Sequence, residues 1–113
     1  MKVINQGNDV VIAEQVRFAH TFFSRFIGLM FKKHIFRDGA LHILPCSQIH
    51  TFFMKFPIDV VYLNSDYEVV GIEENLSPWK IGGKFKQVKS IIELSSGAVV
   101  KTGLKIGDSI KFK

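Results

Sequence analysis

Apolar residues fall along this chain in short runs, separated by clusters of Gly, Pro, Asn, Asp and Ser. That rhythm belongs to strands and tight turns rather than to long helices. Residues 3–4 and 10–13 flank the turn-rich Gln6-Gly7-Asn8-Asp9 and predict a β-hairpin. Residues 41–44 predict a strand ended by Pro45. Residues 49–55 predict another, stopped at Pro57 because proline cannot donate to a central ladder. Residues 58–63, 68–72, 88–94 and 109–112 complete the strands, with turns at Asn64-Ser65-Asp66 and Gly107-Asp108. Residues 76–85, carrying Pro78, Gly82 and Gly83, read as an irregular loop.

Two segments change period. Phe22, Phe23, Phe26, Ile27 and Met30 recur at three- and four-residue spacings within residues 19–30. They predict a short amphipathic helix with Thr21 as N-cap. Gly28 inside it costs about 1 kcal/mol against Ala unless close packing requires a bare backbone there. Residues 98–102, capped by Ser95 or Ser96 and closed by Gly103, predict a second helix. The expected fold is mainly β, a compact antiparallel sandwich or barrel-like sheet with two short helices. No linker or repeat divides it, so residues 1–113 form one domain.

Composition sharpens this picture in two places. Nine of the eleven Phe residues lie between Phe18 and Phe56, which points to a core built around that half. The net charge of +5 is uneven: residues 80–113 hold eight Lys and no Arg, against only Glu93 and Asp108. Lys is a mobile, hydrated point charge suited to loose contact with phosphate. Lys80, Lys84, Lys86 and Lys89 are therefore candidate polyanion contacts on a basic C-terminal face, whose simplest role is solubility.

Several chemistries are disfavoured. The single Cys46 excludes an internal disulfide and a Cys-rich zinc site. His20, His34, His42 and His50 never stand at the i,i+2 or i,i+4 spacing of a metal pair, so neither metal nor cofactor is expected. No apolar window approaches the ~18 residues of a membrane span, and residues 1–9 carry no signal-peptide core. The expectation is a monomeric cytoplasmic protein with no membrane partner.

The run from His50 to Leu63 is the most unusual, because His50, Lys55, Pro57 and Asp59 interrupt apolar residues. With Phe56-Pro57 as a hairpin loop, His50, Phe52, Met54, Asp59, Val61 and Leu63 would share one face. A carboxylate among such neighbours must be paired, bonded to backbone amides or protonated. Asp59 therefore either anchors the turn after Pro57 or floors a pocket beside Met54. A Cys46/His50/Asp59 triad fails on reach, since four residues of straight strand span about 13 Å. Trp79, in a Pro/Gly-rich loop beside lysines, is either a lid on the core or a stacking platform for a base.

Three blocks then align with one family. Arg25-Phe26-Ile27-Gly28-Leu29-Met30 resembles its R-x-x-G-L-M helix end. Phe53-Met54-Lys55 with Pro57-Ile58-Asp59-Val60-Val61-Tyr62-Leu63 resembles its central motif, and Ile92-Glu93-Leu94 with Gly103–Asp108 resembles its ending. The chain resembles the family called domain of unknown function 192 over nearly its whole length. The resemblance implies a mainly antiparallel β domain and no particular reaction. In many relatives a polar insert follows the Met-Lys pair; here Phe56 alone bridges to Pro57, as in relatives that carry an I-H-T-F segment like residues 49–52. By position, the resemblance singles out Thr51, Met54, Lys55, Asp59 and Glu93. The candidate ligand-binding set is thus His50, Thr51, Met54, Lys55, Asp59, Trp79 and Glu93. The leading expectation is a binding or accessory module for a small ligand or anionic partner. The alternatives are an enzyme using Asp59 with His50 or Glu93, and a weak nucleic-acid or polyanion binder.

Overall fold

Strand β5 (Ile58–Leu63) is buried along its whole length and β7 (Ser90–Ser95) at all but its last residue, and the two pair antiparallel. The computed structural model describes residues 1–21, 25, 28–30, 32, 35 and 38–113. In chain order the other elements are β1 (Val3–Asn5), β2 (Val11–Ala13), β3 (Gln15–Ala19), β4 (Gly39–Ile43), β6 (Val69–Leu76), α1 (Ala98–Thr102) and β8 (Ile110–Phe112). They make a five-stranded sheet ordered β3-β4-β7-β5-β6 and a three-stranded sheet ordered β2-β1-β8. Among the described residues no helix is long and apolar enough to cross a membrane.

The β5–β7 register decides which side chains meet. Asp59 lies opposite Leu94 and Val61 opposite Ile92, whereas Val60 lies opposite Glu93 and Tyr62 opposite Ile91. Side chains alternate across a strand, so Asp59 and Glu93 project from opposite faces. The Asp59 face packs Val61, Leu63, Ile92 and Leu94 against Val3, Ile12 and Ile110 of the small sheet and Val99 of α1. The Glu93 face packs Ile58, Val60, Tyr62 and Ile91 against Leu29, Ile49, Met54 and Val88, which come from connecting segments. Each fully buried aliphatic side chain contributes roughly 1.5–3 kcal/mol, so both faces must be roofed.

Most predicted strands are present, and the 3–4/10–13 hairpin forms as β1 and β2. Residues 49–55 differ. They form no strand: His50 makes a single bridge to Ile81, and Phe53 takes a left-handed φ of 63°. The Phe56-Pro57 hairpin is therefore absent, and Ile58 pairs with Leu76 and Ser95 instead. Strand β3 was not anticipated, because its Gln15-Val16-Arg17 start is polar and largely exposed, as an edge strand can be. It runs parallel to β4, the one parallel pair among the strands of the described residues. Ala19, expected to open a helix, closes β3 instead.

Of the helix expected over residues 19–30, Phe22, Phe23, Phe26 and Ile27 lie outside the described residues. Arg25 donates its amide to the Thr21 carbonyl with helical i to i−4 spacing, and Gly28 turns left-handed at φ 50°. The helix expected over residues 98–102 is α1, the one α-helical element assigned among the described residues. Gly103 closes it at φ 71°, as expected, donating to the Val99 and Val100 carbonyls. Its N-terminus is unlike the expectation: Gly97 sits there and no serine caps it.

Between the sheets, His42 of β4 is fully buried in an aromatic cluster. Its ring stacks on Phe112 at 4.7 Å and meets Phe18 and Tyr67 edge-on at 5.7 Å. Neither ring nitrogen finds a hydrogen-bond partner among the described residues, and burial pushes the imidazole down to about 4. The folded state thus holds His42 neutral while the unfolded chain takes up its proton near the ordinary 6.5. The stabilisation is complete above pH 6.5 and is lost progressively as pH falls toward 4. Urea denaturation should show this loss, of order 2–3 kcal/mol. His42→Phe, which keeps a flat ring without a titrating nitrogen, should remove that part of the pH dependence. An unchanged acid profile would mean His42 is not its source.

Candidate functional site

The face of the sheet that carries Glu93 encloses a cavity of about 340 Å³. Its walls come from three separated parts of the sequence. Gly28, Leu29 and Met30 form one, residues 45–54 the second through Cys46, Ile49, His50 and Met54, and Ile43 and Glu93 of the sheet the floor. The three sequence blocks that carried the family resemblance each contribute to this cavity.

Glu93 is its unusual member. The residue is 3% exposed, and its Oε2 has no hydrogen-bond partner among the described residues. Burial pushes the carboxyl up to about 8, so it is largely protonated at neutral pH. The left-handed turn at Gly28 lies directly against it, since a Cβ at Gly28 would stand 3.5 Å from Glu93 Oε1. Arg25 reaches the same cavity. Its Nη1 donates to the Pro45 carbonyl at 2.8 Å and its Nε to the Thr21 carbonyl at 3.3 Å. Cys46 is half-buried and donates to the Gln48 carbonyl at 3.3 Å. Burial raises its thiol, and Glu93 adds to the rise while Arg25 opposes it. A thiol held in that form is a poor nucleophile.

Of the seven candidate ligand residues, His50, Met54 and Glu93 line the cavity. Thr51 lies beneath them, fully buried, and ties two loops together. Its Oγ1 donates to the Ser77 carbonyl at 2.7 Å and accepts from the Lys80 amide at 2.8 Å. Its own amide and carbonyl bond Lys80 and Trp79. Lys55 and Trp79 stand outside, exposed. Trp79, 58% exposed, packs on Phe53 with ring centroids 4.7 Å apart, so it is not the core lid that one reading suggested.

Asp59 belongs to the other face. It is fully buried; Oδ1 accepts from the Asn75 amide at 2.8 Å and Oδ2 from the Gly97 and Val99 amides at 3.1 and 2.9 Å. The carboxylate thus supplies the cap that α1 lacks from its own sequence. Burial and backbone bonding were expected of it. The partners were not, for they lie in β6 and α1 rather than near Pro57. Met54 and Asp59 are on opposite sides of the sheet, so the pocket lies beside Met54 without Asp59. Asp59 also cannot complete a triad with Cys46 and His50, although those two do line one cavity because residues 46–50 are not straight strand.

The basic segment divides. Lys80, Lys84, Lys86 and Lys89 are exposed on the connection that packs over the Glu93 face. Lys101 sits in the last turn of α1, over the Asp59 face, and Lys111 pairs with Asp9 at 3.0 Å. Among the described residues no three His, Cys, Asp or Glu side chains group as metal ligands. The cavity also takes in Arg25, Gly28 and Cys46, which the candidate ligand set left out. The first two stood in the R-x-x-G-L-M block, which was the available signal.

The match to the DUF192 family, described as an uncharacterized ACR, runs over residues 2–112, and the chain belongs to that family. It is similar to a UPF0127 protein of Pyrococcus furiosus, with 33% identity over 96% of this chain and 94% of the relative. Its fold matches a protein of unknown function from Novosphingobium aromaticivorans with a TM-score of 0.81 and 19% identity, over 98% of this chain and 82% of that one. It also matches a candidate transcription regulator from Sinorhizobium meliloti with a TM-score of 0.77 and 21% identity, over 97% and 89%. At these identities the two structures speak for the fold alone.

The two buried carboxyls should respond oppositely to neutralisation. Asp59→Asn replaces an acceptor with an amide that cannot serve all three N–H groups. It should cost about 2–3 kcal/mol in a denaturant titration at pH 7; a cost below ~0.5 kcal/mol would refute the anchoring role.

Glu93→Gln should stabilise the fold. The folded carboxyl titrates near 8 against an ordinary 4.5, so its stabilisation is full below pH 4.5 and is lost as pH rises toward 8. At pH 7 the glutamine variant should gain on the order of 2–3 kcal/mol, and the decline of stability between pH 5 and 8 should flatten. A loss of stability would mean that the carboxylate is compensated.

Proposed function

We propose that this chain is a monomeric, cytoplasmic binding module whose small ligand seats in the cavity over Glu93. The carrying observation is Glu93, a lining residue of a largely apolar cavity whose desolvated Oε2 has no hydrogen-bond partner among the described residues. A buried carboxyl without a partner lowers stability, and such a liability is common where a group is kept for a ligand. The cavity volume lies within the usual range for small-molecule sites, and apolar walls with a few polar groups are their usual make-up. The enzyme reading loses support from the same geometry. Asp59, its expected acid or base, is saturated by three amides on the far side of the sheet, and the Cys46 thiol is raised rather than activated.

The test is a small-molecule fragment screen by thermal shift and ligand-observed NMR, on the wild type and on Cys46→Phe, which places a ring at the cavity wall. Fragments should raise the wild-type midpoint by a few degrees and leave the blocked variant unmoved. Hits that persist in the blocked variant, or no hits at all, would count against the cavity.

A second reading has its own observation. Between Glu74 and Glu93 the chain carries four exposed lysines and no acid, beside the exposed rings of Trp79 and Phe53. A single-stranded nucleic acid could place phosphates on the lysines and a base against Trp79. Trp79 is the chain's one tryptophan, so its fluorescence reports the contact directly. Quenching by a mixed-sequence oligonucleotide should appear at low salt, weaken steeply with added salt, and be lost in a Lys80→Glu/Lys84→Glu double variant. No quenching at low salt would leave these lysines a solubilising role.

A further inference from the structure

Arg25 and Glu93 line the same cavity, and both act on the Cys46 thiol. Even so, the two side chains form no ion pair with each other among the described residues. Arg25 is instead held at the wall by two backbone carbonyls, of Thr21 and Pro45, which fix the guanidinium while leaving its other N–H groups available. Glu93 is held by packing, with one oxygen unpartnered. A guanidinium and a buried carboxyl that share a cavity without closing on each other suit a molecule that touches both. The remaining wall between them is apolar, from Leu29, Met30, Ile43, Ile49 and Met54.

We propose that the ligand of this cavity is a small apolar zwitterion of the free α-amino-acid class. Its ammonium sits on Glu93, its carboxylate on Arg25, and its side chain among the two methionines and the aliphatic residues. This rests on the binding-module reading above and gives that ligand a chemical class. An ammonium seated on the buried Glu93 carboxylate forms a charge-assisted bond. It takes the place of the proton that burial keeps on the carboxyl at neutral pH. That proton leaves to solvent, so the site passes from a protonated acid facing an arginine to a fully paired set of four charges. The thioethers of Met30 and Met54 adapt to irregular shapes, which favours flexible, unbranched side chains over bulky ones.

Three probes separate the contributions. Norleucine carries both charged groups, pentylamine is the same frame without the carboxylate, and hexanoate is that frame without the amine. Titration calorimetry and ligand-observed NMR at pH 7 should give norleucine an affinity at least about tenfold above either single-charge probe. Calorimetry in two buffers of different ionisation enthalpy should show proton release on norleucine binding. Glu93→Gln should weaken norleucine by about tenfold or more and abolish that release. Arg25→Gln should reduce the advantage of norleucine over pentylamine while leaving proton release in place. Pentylamine or hexanoate binding as tightly as norleucine, or norleucine binding without proton release, would overturn the zwitterion assignment. Failure of all three probes would overturn it as well. Fragment hits blocked by Cys46→Phe would in that case leave the binding-module reading intact, and their absence would end both.

Discussion

Strands β5 and β7 are buried on both faces, and the small sheet, α1 and the connecting segments are arranged to cover one face or the other. An antiparallel sheet commonly leaves one side to water, but here no residue from Ile58 to Leu63 or from Ser90 to Leu94 is exposed. The small sheet and α1 roof one side. Connecting segments roof the other, with the tilted rings of Tyr62 and Phe85 packed 4.5 Å apart between strand and loop. The cavity over Glu93 lies beneath that roof of loops.

Each face of the β5–β7 pair carries one buried acidic residue, and their surroundings give them different characters. Asp59 meets three backbone amides and becomes a structural joint between β5, β6 and the start of α1. Glu93, on the neighbouring strand, meets apolar side chains and a glycine turn and keeps its proton. The difference follows from the one-residue offset of the register, which sends them to opposite sides. Two carboxyls in similar apolar runs thus become an anchor and a latent acceptor.

The strand pattern was legible because turn residues punctuate short apolar runs, and residues 58–63 and 88–94 fall close to β5 and β7. Asp59 could be read as buried and bonded, since a carboxylate in such a run has few other fates. Its partners could not be read, because Gly97 and Val99 are about forty residues away and reach it only through tertiary packing. Residues 49–55 misled for a related reason. Their aromatic and β-branched content favours a strand, but Thr51 gives its backbone bonds to Lys80 and Trp79, which bends the segment into a loop. That bend brings His50 and Met54 to the cavity, and straight-strand distances could not foresee it. Glu93 was legible as an acid in an apolar strand; Arg25 was visible only as part of a motif.

Thr51 sets a limit on how this fold can diversify. Because one residue binds residues 77–80 through its amide, carbonyl and hydroxyl, the loops on either side of that junction are matched in length. An insertion between Cys46 and Thr51, or between Leu76 and Lys80, would shift one loop against the other and break several bonds at once. An insertion beyond Met54, on the outer side of the junction, would leave it whole. New segments in related chains have room to grow there, above the cavity, without disturbing the sheet that holds it.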